Sequence, residues 1–201
     1  MKKLGTLILI FTVCCSGVFA QDQEDLFAQL ELETSETPLL PERMIFTQRI
    51  LWGEKGLMRS SKKFELSKES REQELKIRRQ MLKAHQLIGY ATLAGMVAQG
   101  VIGGKLYNGR YDLKDTHETI GNLTTATYFT GAALALFAPP PLINKKVKGF
   151  SSTKLHKTMA TIHMSAMIAT NLLAEEEKSA HRAAAYTLFG SYAVAVLSFK
   201  F

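Results

Sequence analysis

Cysteine is almost missing from this chain of 201 residues. Two cysteines, Cys14 and Cys15, stand side by side near the start, and none follows. Both lie inside the opening stretch "MKKLGTLILIFTVCCSGVFAQDQ": two lysines, an apolar run, then small residues around Val18 and Ala20. That pattern predicts a secretory signal peptide over residues 1–20, cut before Gln21. An uncleaved anchor is the alternative. A lipoprotein site is disfavoured, because neither sulfur follows a Gly or Ala. The mature chain then carries no thiol. Disulfides, iron–sulfur ligation and c-type haem attachment are excluded together. Any chemistry falls to histidine, carboxylates, amines and hydroxyls. Loss of Lys2 and Lys3 lowers the formal charge from +7, leaving the chain still basic.

Basic residues are scarce over 21–43, where Arg43 is the only one, and Pro38 and Pro41 oppose regular structure. This reads as an acidic, flexible lead-in. The next stretch, "MIFTQRILWGEKGLM", partly alternates, with Gly53 and Gly56 bracketing a turn, and predicts a short β-hairpin. It holds the one tryptophan, Trp52, read as a membrane-interface or docking residue. Residues 65–83 are charged and helix-prone, and predict a solvated helix.

Charge itself is absent from four long runs: 84–104, 119–144, 158–174 and 183–199. Each has 17 residues or more, close to what a hydrocarbon core of roughly 30 Å demands. The links between them are short, and Pro139–Pro141 stops the second run. The fold class expected is all-α: an integral-membrane, up-down-up-down four-helix bundle over 81–201. An extramembrane segment, 21–80, precedes it. A soluble four-helix bundle is the alternative. The runs carry Gln99, Asn122, His163 and Asn171 among many small residues, which suits close helix packing and interior polar function. The "NLT" at Asn122 matches a glycosylation pattern but lies within a predicted helix.

Only five histidines are present, and four mark the starts of the predicted helices: His85, His117, His156 and His181. Each has a small residue four positions on: Gly89, Gly121, Ala160 and Ala185. In a helix, i and i+4 share a face, so each imidazole has a thin turn beside it. The positive end of the helix dipole favours neutral imidazole, the form that binds metal, and suits acidic ligand groups. A flat macrocycle with its iron held by imidazole fits such a shelf. Up-down topology then pairs His85 with His156 at one end and His117 with His181 at the other. The expectation is two bis-histidine haem sites. Zinc is disfavoured, because the histidines fall into separate pairs rather than one cluster. His163, two turns beyond His156, is read as a packing residue near the middle, or alternatively as the ligand in place of His156. Lys83, Lys154, Lys157, Lys114 and Arg182 flank the histidines and could meet haem propionates or simply snorkel to the interface.

At these residues the chain resembles the cytochrome b561 superfamily. The stretches "AHQLIGYATLAGMVAQGVIGG", "HETIGNLTTATYFTGAALALF", "KLHKTMATIH" and "HRAAAYTLFGSYAVAVL" are similar to its four haem-bearing helices, over roughly residues 80–201. The resemblance implies a transmembrane bundle with two haems b, held by His85, His156, His117 and His181, and electron transport across the membrane. Departures are the small number of spans and the lack of an ascorbate-binding signature. The function expected is electron transfer between a quinol or reductase and a periplasmic acceptor, as a component of an oxidoreductase rather than a stand-alone enzyme. The partners expected are lipid and a redox protein or quinone, with no nucleic acid. Residues 44–83 would dock the partner. The location expected is a bacterial inner membrane, multi-pass, with the N-terminal segment periplasmic. The leader dictates that orientation, although Arg78, Arg79, Lys83, Lys145, Lys146 and Lys148 would favour the opposite one. Two rivals compete: a cofactor-free membrane scaffold or assembly protein, and a quinone- or ion-translocating subunit using His163 and Asn171.

Overall fold

A computed structural model describes residues 38–142 and 151–198. The stretch read as a signal peptide, most of the acidic lead-in and the "NKKVKG" link lie outside the described residues. The elements below belong to the unit Leu39–Phe201. They are α1 (Phe46–Trp52), α2 (Lys68–Tyr107), α3 (Lys114–Leu136), α4 (Ser152–Leu172) and α5 (Lys178–Leu197), with short 3-10 turns at Leu57–Ser60, Lys62–Phe64 and Tyr111–Leu113. The all-α expectation holds: every regular element among the described residues is helical.

Local chemistry sets the boundaries. Ser67 opens α2 by accepting the Ser70 N–H at 3.2 Å, and Ser151 opens α4 by accepting the Lys154 N–H at 3.2 Å. Glu177 opens α5 by accepting the N–H groups of Ser179 and Ala180. The chain leaves α2 through Gly109, whose φ of +96° suits a residue without a Cβ. Helix α3 stops at Leu136 because Pro139–Pro141 offer no N–H to continue it.

Two expectations are corrected here. The hairpin expected around Trp52 is α1 followed by a turn. Gln48 and Trp52 bond the neighbouring carbonyls Ala138 O and Phe137 O. Residues four apart lie roughly 6 Å apart on a helix but roughly 13 Å apart along a strand, so only the helix reaches adjacent acceptors. The charged stretch 65–83 is not solvated throughout. It forms the first turns of α2, a helix of 40 residues, and buries Arg71 and Glu74 at 2% and 0% exposure.

The long helices pack as antiparallel neighbours. Helix α2 runs against α3, with His85 at Gly131 and Gly103 at His117. Helix α4 runs against α5, with His156 at Ala195 and His181 at Thr170. Tyr192 ties α5 to α2 through Gly89 O, and Tyr128 ties α3 to α4 through His163. The core between them is Met96, Tyr128, Ala166, Met167, Leu188 and Tyr192. A Cβ on Gly95 would meet Thr124 Oγ1 at 2.5 Å, so α2 and α3 touch closely there. Among the described residues one helix, α2, is long and apolar enough to cross a membrane.

Candidate functional site

The antiparallel packing carries histidines from opposite corners of the bundle together at each end. His85 (α2) and His156 (α4) have ring centres 6.3 Å apart, with planes at 90°. His117 (α3) and His181 (α5) have ring centres 6.2 Å apart, with planes at 76°. A metal–imidazole bond is roughly 2.0–2.1 Å, with roughly 1.1 Å more from that nitrogen to the ring centre, so two imidazoles on opposite sides of one ion sit roughly 6.3 Å apart. Both pairs have that spacing.

An edge-to-face ring contact falls in the same range. The ring nitrogens add a second observation. His85 Nδ1 lies 2.9 Å from Gly131 O, His156 Nδ1 3.1 Å from Ala195 O, and His181 Nδ1 2.8 Å from Thr170 O. A carbonyl only accepts, so each of these rings carries a proton on Nδ1, and a metal would be met by Nε2. Anchoring one ring nitrogen on a backbone carbonyl while the other takes a metal is the usual arrangement of ligating histidines. His117 differs. Its Nδ1 is buried with no hydrogen-bond partner. The neighbouring Gln99 amide instead donates to His117 O at 2.7 Å.

The small residues at i+4 do not all face open space. A Cβ on Gly89 would meet the Tyr192 hydroxyl at 3.5 Å, and one on Gly121 the Gln99 amide at 3.5 Å. Ala160 and Ala185 are half-buried. One ring is cleared by a glycine of the neighbouring helix, Gly103, while Gly131 clears Ile88. A Cβ on Gly103 would meet His117 Cε1 at 2.9 Å, and one on Gly131 would meet Ile88 Cγ2 at 3.2 Å, beside His85. Sequence reasoning missed both. Hairpin arithmetic contains the first signal: Gly103 and His117 are equidistant from Arg110, in the turn between α2 and α3.

Between the two histidine pairs lies a polar aromatic layer. His163 is buried, its Nδ1 2.7 Å from Tyr128 Oη, and its ring centre is 4.9 Å from that of Tyr192. His156, not His163, faces His85. Trp52, read as an interface or docking residue, is instead 5% exposed and donates its indole N–H to Phe137 O at 3.0 Å. Of the flanking cations, Lys114 pairs with Glu118 at 3.5 Å, and Arg182 stacks over Tyr107 at 4.5 Å. No group of three or more His, Cys, Asp or Glu positioned to hold a metal occurs among the described residues. The donor sets are the two imidazole pairs.

No protein-family model, curated protein or solved structure matches the chain.

Proposed function

We propose that this protein is a membrane electron-transfer protein of the cytochrome b561 kind, binding two b-type haems. His85 and His156 would hold one, and His117 and His181 would hold the other. The observation that carries this reading is the repeated 6.3 Å and 6.2 Å spacing of paired imidazoles at opposite ends of one bundle. The anchored Nδ1 atoms support it, because they present Nε2 as the ligand atom. Each bound haem supplies one-electron oxidation and reduction. The chain does the rest. Four imidazoles hold the groups, three backbone carbonyls set the rotation of the rings, and Gly103 leaves room for the His117 ring. Held by two imidazoles each, the haems would serve to pass electrons rather than to activate oxygen.

The bundle would cross the membrane four times. Large apolar residues face outward on all four long helices: Leu87 and Val101 on α2, Leu123 on α3, Leu172 on α4, and Phe189 and Leu197 on α5. In water such surface is costly; in lipid it is solvated. Lipid is therefore the expected surround. With the leader cleaved, Leu39–Lys83 would lie on the periplasmic side. A quinol or reductase would deliver electrons and a periplasmic protein would accept them.

The test is a dithionite-reduced-minus-oxidised visible spectrum of the detergent-purified protein, with pyridine haemochrome quantitation. A sharp b-type α-band and two haems per chain are expected. His85→Ala and His156→Ala should lose the same haem, and His117→Ala and His181→Ala the other. One haem per chain would break the pairing. A colourless protein from haem-replete cells would overturn the reading in favour of a cofactor-free scaffold.

A further inference from the structure

We infer that residues 47–78 form an internal clasp that positions the His85–His156 site and leaves the His117–His181 site alone. The inference rests on the haem reading for its consequence, but its geometry stands without it. Six consecutive carbonyls where the chain leaves α3 each accept a hydrogen bond from a side chain of this one segment. Thr47 Oγ1 donates to Leu136 O at 2.6 Å, Trp52 Nε1 to Phe137 O at 3.0 Å, and Gln48 Nε2 to Ala138 O at 3.2 Å. Arg78 Nη1 donates to Pro139 O at 2.7 Å. Arg71 Nη2 reaches Pro140 O at 3.1 Å and Pro141 O at 3.3 Å.

The chemistry on the two sides is complementary. A helix end leaves its carbonyls without partners, and three successive prolines add acceptors with no donor of their own. Indole and guanidinium are donors only. The acceptor-rich exit of α3 therefore meets a donor-rich surface. Ala138, Pro139 and Pro140 are fully buried beneath it. Glu74, with no exposure, pairs with both Arg59 and Arg71 and offsets the guanidinium charge. Trp52 is braced edge-on by Phe64 at 5.4 Å.

The link to the site is short. Gly131 lies five residues before Leu136 on α3, and its carbonyl is the acceptor that orients His85. Arg71 and Arg78 lie on α2, the helix that carries His85. The clasp thus ties together the two helices whose relative position sets the His85–Gly131 bond. At the opposite end, Gly103 packs against His117, whose Nδ1 has no partner. The residues of the clasp are positioning residues, and their side chains are spent on α3 rather than left for a partner protein.

The experiment uses the full chain carrying Trp52→Phe with Gln48→Ala, which removes two donors and retains the ring packing. The pair is placed separately into His117→Ala and His85→Ala backgrounds, so that one haem is read at a time by its potential and its low-spin EPR signal. A shift confined to the His117→Ala background, where the His85–His156 haem remains, supports the clasp. No shift in either background, or equal shifts in both, overturns it. Thr47→Val with Gln48→Ala serves as a second variant if the first does not accumulate, and it is read in the same way. If the unmutated protein is colourless, the haem reading fails and hydrogen exchange decides the clasp. Exchange over 128–138 should then rise about thirtyfold, the effect of losing two hydrogen bonds, with 114–124 unchanged. A uniform rise, or none, overturns the clasp.

Discussion

The two glycines Gly103 and Gly104 are neighbours in sequence and opposites in structure. A Cβ at Gly103 would press on the His117 ring at 2.9 Å, while one at Gly104 would meet nothing within 4 Å. Gly103→Ala should cost roughly 1–3 kcal/mol through overpacking and displace the ring. Gly104→Ala should stabilise the helix by roughly 0.4–1 kcal/mol. Thermal unfolding in detergent checks the stabilities, and under the haem proposal the spectrum should show the His117–His181 haem disturbed only by Gly103→Ala. Identical behaviour of the two variants would contradict the geometry. Tyr128→Phe makes a second residue-scale test. It strips the hydroxyl from His163 Nδ1 and leaves a buried nitrogen without that partner, at a cost of roughly 1–3 kcal/mol. Under the two-haem proposal both haems should survive, since His163 faces tyrosines rather than a second histidine. Loss of a haem would make His163 a ligand.

Each element depends on how its ends are finished. Glu177 caps α5 four residues before His181. Its carboxyl is held below the ordinary 4.5, first by its hydrogen bond with Ser179 and then by the backbone N–H groups of Ala180 and Ser179. A depressed folded pKa means that the cap contributes fully above 4.5, and that its contribution fades as pH falls through the lower folded value. Acidification should therefore loosen the start of α5, and Glu177→Gln should remove that pH dependence. Hydrogen exchange at 178–185 against pH reads it directly. Where α2 begins, the buried Glu74 answers two guanidiniums. Glu74→Gln leaves them uncompensated and should cost roughly 3–5 kcal/mol. Chemical unfolding would measure it. A change under 1 kcal/mol would mean the arginines find other partners, a magnitude typical of roughly neutral, exposed pairs. Arg71 and Arg78 are pulled below their usual range by burial first, as expected of cations that bond backbone carbonyls out of water.

For the whole molecule the deciding quantity is the apolar surface left outside. Leu87 and Leu172 are each 72% exposed, on different helices. If lipid covers that surface, alkaline carbonate should leave the protein in the membrane pellet and only detergent should release it. Recovery in the carbonate supernatant would sink the multi-pass proposal.

Helix positions were legible in the sequence because their causes are local. The four uncharged runs fall on α2–α5, the serine caps stand immediately before α2 and α4, and three prolines end α3. Each depends on residues within about one turn. Histidine spacing was legible for the same reason, since an alternating bundle brings like ends together by connection length alone. The hairpin expected around Trp52 failed because its partners lie 85–90 residues away, at Phe137 and Ala138. Local pattern carries no record of such acceptors. The sequence by itself thus determined the helices, the lack of thiols in the described chain and the pairing of its histidines by topology. Only the tertiary structure decided that Gly103 clears the His117 ring and that the Gly131 carbonyl meets His85, that Tyr192 and Gln99 fill the space beside Gly89 and Gly121, and that the charged start of α2 turns inward. Those outcomes depend on the rotation of each helix about its axis, which is set by side chains meeting across the bundle.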